Sequence, residues 1–230
     1  MDTQNIKFTR FQQKDIDQTY LKNMTEATQF FMEWFKNGSS SYQEMLIKMH
    51  QIAINEYAGY TNSTKVVGNV RSLFRNHTEV PNIQQPNLKK EWYNIDLTGQ
   101  TYRFPRIKGI PMHLSHHVVN LEEGYKLILP EAKMVPYYLC KLASRMGDLK
   151  QVVNHFDILN KAPKLLANYM NIFVIGHPFE KVNFSICMAQ VNAILYMWGY
   201  ETLYHEYMDF DCFLYDSDVI ENNFIRRLNG

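Results

Sequence analysis

The sequence predicts a mainly α-helical fold in which shorter helices surround one buried central helix, with a short β-hairpin as a flap. Three observations support this prediction. Apolar residues recur at helical spacing in the first quarter of the chain, a nearly continuous apolar stretch runs from Ile186 to Trp198, and strand-like alternation is confined to 92–107. With 230 residues, 46% of them hydrophobic, the chain can bury a substantial core.

The N-terminal part of the chain contains two predicted helices. Residues 1–20 are polar and irregular, and we expect a loose arm or a short helix there. Apolar residues then recur near helical spacing over 23–36, and Asn37-Gly38 is typical of a helix C-cap. Ser39–Ser41 provides a linker and an N-cap for a second helix over 42–57, which carries an apolar stripe.

The middle of the chain contains the predicted hairpin. Residues 78–92 hold two prolines among several Asn and Gln residues, which predicts a surface loop. The alternation that follows is interrupted by the turn Leu97–Gln100, so we place a hairpin flap over about 92–110. We predict a helix over 111–124, after Pro111.

The remaining helices lie in the second half of the chain. A proline is tolerated in the first turn of a helix, where its missing N–H would have no partner, and two of these helices begin that way. The predicted spans are 130–147, 148–159, 164–175, 183–199 and 217–228.

These elements suggest three regions within one compact domain. We predict an N-terminal arm and helix over 1–41, a core over 42–199 and a C-terminal helical extension over 200–230.

The composition excludes several classes of function. A net charge of +1 disfavours an obligate nucleic-acid partner. Three widely spaced cysteines favour a reduced, cytoplasmic setting. The sequence shows neither an apolar stretch long enough to span a membrane nor a Sec-type signal peptide.

The best functional clue is the loop 176–184, between two apolar segments. An apolar segment ends at Gly176, and a long apolar helix pattern begins near Asn183. The N–H groups at the start of such a helix face the loop and suit an anion. Because His177 lies at the mouth of this loop, the arrangement would hold a phosphate beside a base.

The same loop resembles a known family motif. Ile175–Phe179, followed by Asn183 and a long apolar helix, resembles the Fic-domain motif H-P-F-x-D/E-G-N-G-R-x-x-R. Met49–Tyr60 is similar to the family's early helix, and 104–118 is similar to its flap region. The resemblance covers 42–199 and implies a Fic-like helical bundle that transfers a nucleotide-linked group to a protein hydroxyl.

The resemblance assigns roles to the matching residues. His177 corresponds to the base that removes the proton of the target hydroxyl, and Asn183 to the asparagine that contacts phosphate. Pro178 and Phe179 correspond to the structural anchor of the motif.

Other positions depart from the motif. Lys181 stands where the family has the acid that holds Mg²⁺, Val182 and Phe184 replace glycines, and Ser185 and Met188 replace arginines. We therefore expect no metal ligands here, and ordinary AMP transfer from ATP is disfavoured. Lys181 and Ser185 become candidate phosphate-binding residues, and the expected donor is a nucleotide or nucleotide sugar.

The flap contains the candidate target-binding residues. Arg103, Arg106 and Lys108 form a compact basic cluster that could steer phosphate or an acidic target, or could be solvated edge charges. His113 and His117 would share one face of the predicted helix, where they could contact a ligand or target, although a zinc site would need further ligands.

Each functional assignment has a structural alternative. His177 could be an idle loop histidine, Asn183 a simple N-cap and Lys181 a solvated charge. The pattern Ser217–Asn222 matches a Fic autoinhibitory helix, but its glutamate would need an arginine where this chain has Met188, so we interpret the match as chance.

Taken with the resemblance, these residues predict a transferase with His177 as base. Its target would be a Ser, Thr or Tyr hydroxyl of another protein. Such an enzyme would be a bacterial effector or toxin that acts in a cytoplasm. The alternative is a catalytically inactive module on the same scaffold that binds a protein partner. A specialised secretion system could deliver such a protein without a signal visible here.

Overall fold

The computed structural model describes residues 6–7, 17–55, 79–80, 102–121, 124–152, 155–179 and 182–229. Within these residues the fold is mainly α-helical, as predicted. The helices are α1 Gln18–Asn37, α2 Tyr42–Ala53, α3 Val135–Lys150, α4 His155–Asn160, α5 Ala162–Gly176, α6 Asn183–Met197, α7 Met208–Leu214 and α8 Ser217–Leu228. Single 3-10 turns lie at Met112–Leu114 and Ala132–Met134.

Local sequence sets where several helices begin. Ser41 caps α2 as predicted: its hydroxyl accepts a hydrogen bond from the Glu44 N–H while the Glu44 carboxylate accepts from the Ser41 N–H. This capping box satisfies two donors at the helix start. Pro163 occupies the first turn of α5, also as predicted. Helix α3 begins at Val135, later than the predicted start at 130, and Pro136 lies in its first turn.

Helices α5 and α6 form the centre of the core. Every residue of 166–176 and of 186–195 is buried. Helix α5 packs against α3, α6 and α8, and α6 packs against α1. The predicted central helix is therefore buried, and it shares the centre of the core with α5. No helix of the described residues is both long and apolar enough to cross a membrane.

A polar network crosses this core and attaches α2 to α5 and α6. The hydroxyl oxygens of Tyr42 and Tyr169 lie 2.6 Å apart, Tyr169 donates to Gln190, and Gln190 Nε2 donates to Met49 Sδ at 3.3 Å. Burial raises the pKa of both tyrosines, so their hydroxyls stay protonated. Because a polar group left without a partner in such a core is costly, the network favours one position of α2.

The described residues also form a four-stranded antiparallel sheet beside the helices, with strand order β1-β4-β3-β2. The strands are β1 Glu79–Val80, β2 Tyr102–Arg103, β3 His117–Leu121 and β4 Gly124–Ile128. Strands β3 and β4 pair along their whole length.

The prediction of a helix over 111–124 is wrong. Helical structure there is limited to the single turn Met112–Leu114, and the chain then extends into β3. The adjacent β-branched residues Val118 and Val119 favour the strand, and Val118 is fully buried opposite Leu127.

The predicted flap over 92–110 falls largely outside the described residues. Within 102–110, Tyr102 and Arg103 form β2, which pairs with β3. The hairpin that the structure does describe is β3–β4, farther along the chain than the predicted one.

Candidate functional site

The site begins where α5 ends. Gly176, the last residue of α5, packs so closely on Tyr138 of α3 that a Cβ there would lie 2.7 Å from the tyrosine ring. His177 follows as the C-cap, in the left-handed conformation with φ 41°, and its N–H donates to the Phe173 carbonyl at 2.9 Å. The imidazole is half-buried. Close packing before it and a helix-terminating backbone thus place His177 at the mouth of the loop.

Pro178 and Phe179 anchor the loop in the core. Both are buried, and Phe179 has no exposed surface. The Phe179 ring stacks on the imidazole of His50 from the last turn of α2, with 3.9 Å between ring centroids and 14° between the ring planes.

Asn183 closes the loop on itself. Its Oδ1 accepts from the Phe179 N–H at 2.8 Å, and its Nδ2 donates to the Phe179 carbonyl at 2.7 Å. Asn183 is the first residue of α6, so its interpretation as the N-cap of this helix is wrong. The N-cap position belongs to Val182, whose φ of 64° is unusual for a β-branched residue. These two hydrogen bonds between Asn183 and Phe179 form a clasp, and Asn183 would have to give up at least one of them to contact a phosphate.

Ser185, the second candidate phosphate ligand, has a partner from α1. Its Oγ accepts a hydrogen bond from the Tyr20 hydroxyl at 2.8 Å. The first turn of α1 therefore lies beside the N-terminus of α6. Met188, in an arginine position of the resembled motif, is fully buried, which suits a methionine and not a charge. Lys181 lies outside the described residues.

The basic residues after β2 are joined to α8. Arg106 donates to Asp216 from its backbone N–H at 3.0 Å and from Nε at 2.9 Å. The Lys108 N–H donates to Ser217 Oγ at 2.9 Å, and Lys108 Nζ lies 3.3 Å from Glu221 Oε1.

The end of the predicted flap, at Arg106 and Lys108, is thus held against the core by α8 and its N-cap residue Asp216. The glutamate of the Ser217–Asn222 pattern pairs with Lys108 of this segment. Asn168 of α5, about 14 Å along the helix from His177, also donates to the Lys108 carbonyl at 3.2 Å. Arg103 lies in β2, in register with Val118.

His113 lies on an open groove of about 460 Å³. The groove is lined at the base of the β3–β4 hairpin by residues 113–115, 128–131, 133 and 134. It is linked to the His177 loop through Tyr138, which donates to the Leu114 carbonyl at 2.9 Å while its ring packs on Gly176.

The three histidines of this region do not share a helical face. His113 is exposed on the 3-10 turn, His116 is buried with Nε2 2.8 Å from the Phe213 carbonyl, and His117 begins β3. No three His, Cys, Asp or Glu side chains within the described residues are grouped as a metal site would require.

Sequence reasoning missed three residues that shape the site: His50, Tyr20 and Tyr138. Only His50 carried a signal, because it is a polar residue next to Met49 on the apolar stripe of α2. The other two are ordinary helix residues in the sequence, and their roles arise from packing between helices.

The arrangement combines one half-buried imidazole with the N-terminus of a buried helix. The imidazole can accept a proton, and the N–H groups at the start of α6 face the loop and can stabilise an anion. No family model matches this chain, and no curated protein matches it.

Proposed function

We propose that this chain is a Fic-like transferase that moves a nucleotide-linked group to a protein hydroxyl, with His177 as general base. The observation that carries the proposal is the placement of His177, half-buried and left-handed, between the end of α5 and the loop that leads into α6. A histidine in a sparsely populated backbone conformation marks a position that its surroundings must hold.

The proposed step is one displacement at phosphorus. The hydroxyl oxygen of the target attacks a phosphorus atom of the donor, and its proton passes to a ring nitrogen of His177. The bond from phosphorus to the bridging oxygen breaks, and the leaving group departs with that oxygen and its electron pair. The N–H groups at the start of α6 stabilise the charge that develops on the phosphoryl oxygens.

The proposed donor is a nucleotide sugar or another diphosphate-linked group. The position that holds Mg²⁺ in the resembled motif is Lys181, and the arginine position at 188 is a buried methionine. A donor whose charge is met by helix N–H groups and one lysine fits these residues better than a magnesium triphosphate does. We place the target in a bacterial or host cytoplasm.

Mass spectrometry of modified protein after incubation with a panel of nucleotide sugars and nucleotides tests the proposal. We expect a mass addition to a Ser, Thr or Tyr residue with the wild type and none with His177→Ala. His177→Asn is the matched variant, because asparagine also tolerates the left-handed conformation but is not a base. Equal labelling by wild type and both variants would refute the proposed role.

A second candidate function, a partner-binding module without catalysis, is favoured by one specific observation. Asn183 and Ser185 both already have internal hydrogen-bond partners at the loop. Calorimetry with the same panel separates the two functions. Millimolar or tighter binding of a donor supports the transferase, whereas a complete lack of binding together with a complete lack of labelling supports the module.

A further inference from the structure

His50 contributes a ring to the loop from a separate helix. It lies in the last turn of α2, is 6% exposed, and faces the fully buried Phe179 at 3.9 Å between ring centroids. The angle of 14° between the ring planes makes this a stacked contact, in which each ring restricts rotation of the other.

Phe179 is held from two directions. Asn183 binds its backbone N–H and its carbonyl, and His50 covers its ring. Only Pro178, a residue with fixed φ, separates Phe179 from His177. A rotation of Phe179 is therefore passed along a short, stiff connection to the candidate base.

Helix α2 provides a firm support for this contact. Met49, next to His50, accepts the hydrogen bond from Gln190 of α6, and Tyr42 pairs with Tyr169 of α5. The path from the buried network to the loop is continuous, from α5 and α6 through α2 to His50 and on to Phe179.

We propose that His50 is a positioning residue that holds the His177 imidazole in its working orientation by stacking on Phe179. The inference rests on the proposed function, because a working orientation implies a reaction. His50 acts through Phe179 and has no assigned contact with donor or target. An error of about 1 Å in the placement of a reacting group costs about 100-fold in rate, so His50 is expected to affect turnover more than folding.

Three substitutions separate stacking from simple core filling. His50→Phe keeps an aromatic ring, His50→Leu keeps apolar volume without a ring, and His50→Ala removes both. Leu46→Ala, one turn earlier on α2 and fully buried, is the control for a general loss of core packing.

The first measurement is the rate of group transfer over a range of donor concentrations and at several pH values. We expect His50→Leu to lower kcat about 10- to 100-fold with little change in donor KM, and His50→Phe to stay within about threefold of wild type. His50→Phe should also keep the wild-type pH profile, because His177 remains the base. Equal rates for His50→Leu and His50→Phe would overturn the inference.

The second measurement needs no activity. Exchange of the Phe179 amide hydrogen, which is bonded to Asn183, should be about three- to tenfold faster in His50→Leu than in His50→Phe. In Leu46→Ala it should change only as much as the most protected amides of α5 and α6 do. If the wild type shows no transfer, the proposed function fails, while this exchange test still decides whether His50 holds the loop. Equal Phe179 exchange in the Leu and Phe variants would refute the positioning role even if His50→Ala failed to fold.

Discussion

The clasp between Asn183 and Phe179 yields the sharpest prediction. Asn183→Leu leaves the buried Phe179 N–H and carbonyl without the partners that now lie at 2.8 and 2.7 Å. Each of these two buried backbone groups costs about 1–3 kcal/mol when it loses its partner, so the free energy of unfolding should fall by about 2–6 kcal/mol. Urea denaturation followed by far-ultraviolet circular dichroism measures this loss.

Asn183→Asp is the matched variant, because it changes one polar atom and almost no volume. One carboxylate oxygen can still accept from the Phe179 N–H, but the other would face the Phe179 carbonyl where Nδ2 now donates at 2.7 Å. The folded state therefore favours the protonated acid, which can donate, and the pKa of Asp at 183 should rise above its unfolded value of about 3.9.

The sign of the pH dependence follows from that raised pKa. Stability of Asn183→Asp should be highest below about pH 4 and should fall as pH rises through the folded-state pKa, relative to wild type at each pH. Denaturation at pH 4 and pH 7 measures the difference. A loss below about 1 kcal/mol in Asn183→Leu, or an Asp variant whose deficit does not grow between pH 4 and 7, would show that the clasp does not hold the loop.

Three further predictions concern Asp211, Gly176 and Tyr20. Burial raises the pKa of Asp211 from 3.8 to about 6, so ionisation of this carboxyl opposes folding, and its contribution to stability should fall as pH rises from 4 to 7. Asp211→Asn should remove this contribution to the pH dependence and raise the free energy of unfolding at pH 7 by up to about 3 kcal/mol. Urea denaturation measures both effects. Gly176→Ala brings a methyl group within 2.7 Å of the packed Tyr138 ring and should lower the free energy of unfolding by about 1–3 kcal/mol. The control is Gly147→Ala on α3, where a Cβ would have nothing within 4 Å, and it should be neutral or stabilising by up to about 1 kcal/mol. Thermal melts measure both variants. Tyr20→Phe removes the hydrogen bond to Ser185 and should tighten donor binding a few-fold if Ser185 contacts phosphate; calorimetry showing weaker binding would contradict that role.

The sequence predicted most of the helices because the signals that specify each helix lie within a few neighbouring residues. The apolar stripe and the capping serine locate α2, Pro163 locates the start of α5, and α8 runs over the predicted span Ser217–Leu228. The predicted start of α3 at 130 is too early, because Pro130 and Pro136 both suit a first turn and the structure uses Pro136. The prediction of a helix over 111–124 is wrong because the periodic pattern there is short. Three histidines at helical spacing suggested a helix, whereas the structure has strand β3, which is stabilised by its pairing with β4. Strand pairing is a long-range property, and five residues carry too little local preference to reveal it.

At the candidate site, the amino-acid sequence alone predicts the order of the parts: an apolar segment, a histidine, an anchor and a buried helix beginning at Asn183. Those features follow from chain order and hydrophobic pattern. The contacts of each side chain depend on how the helices pack, because the partners lie far away in sequence. His50 stacks on Phe179 from 129 residues earlier, Tyr20 reaches Ser185 across 165 residues, and both contacts exist because the core brings α1 and α2 against the start of α6.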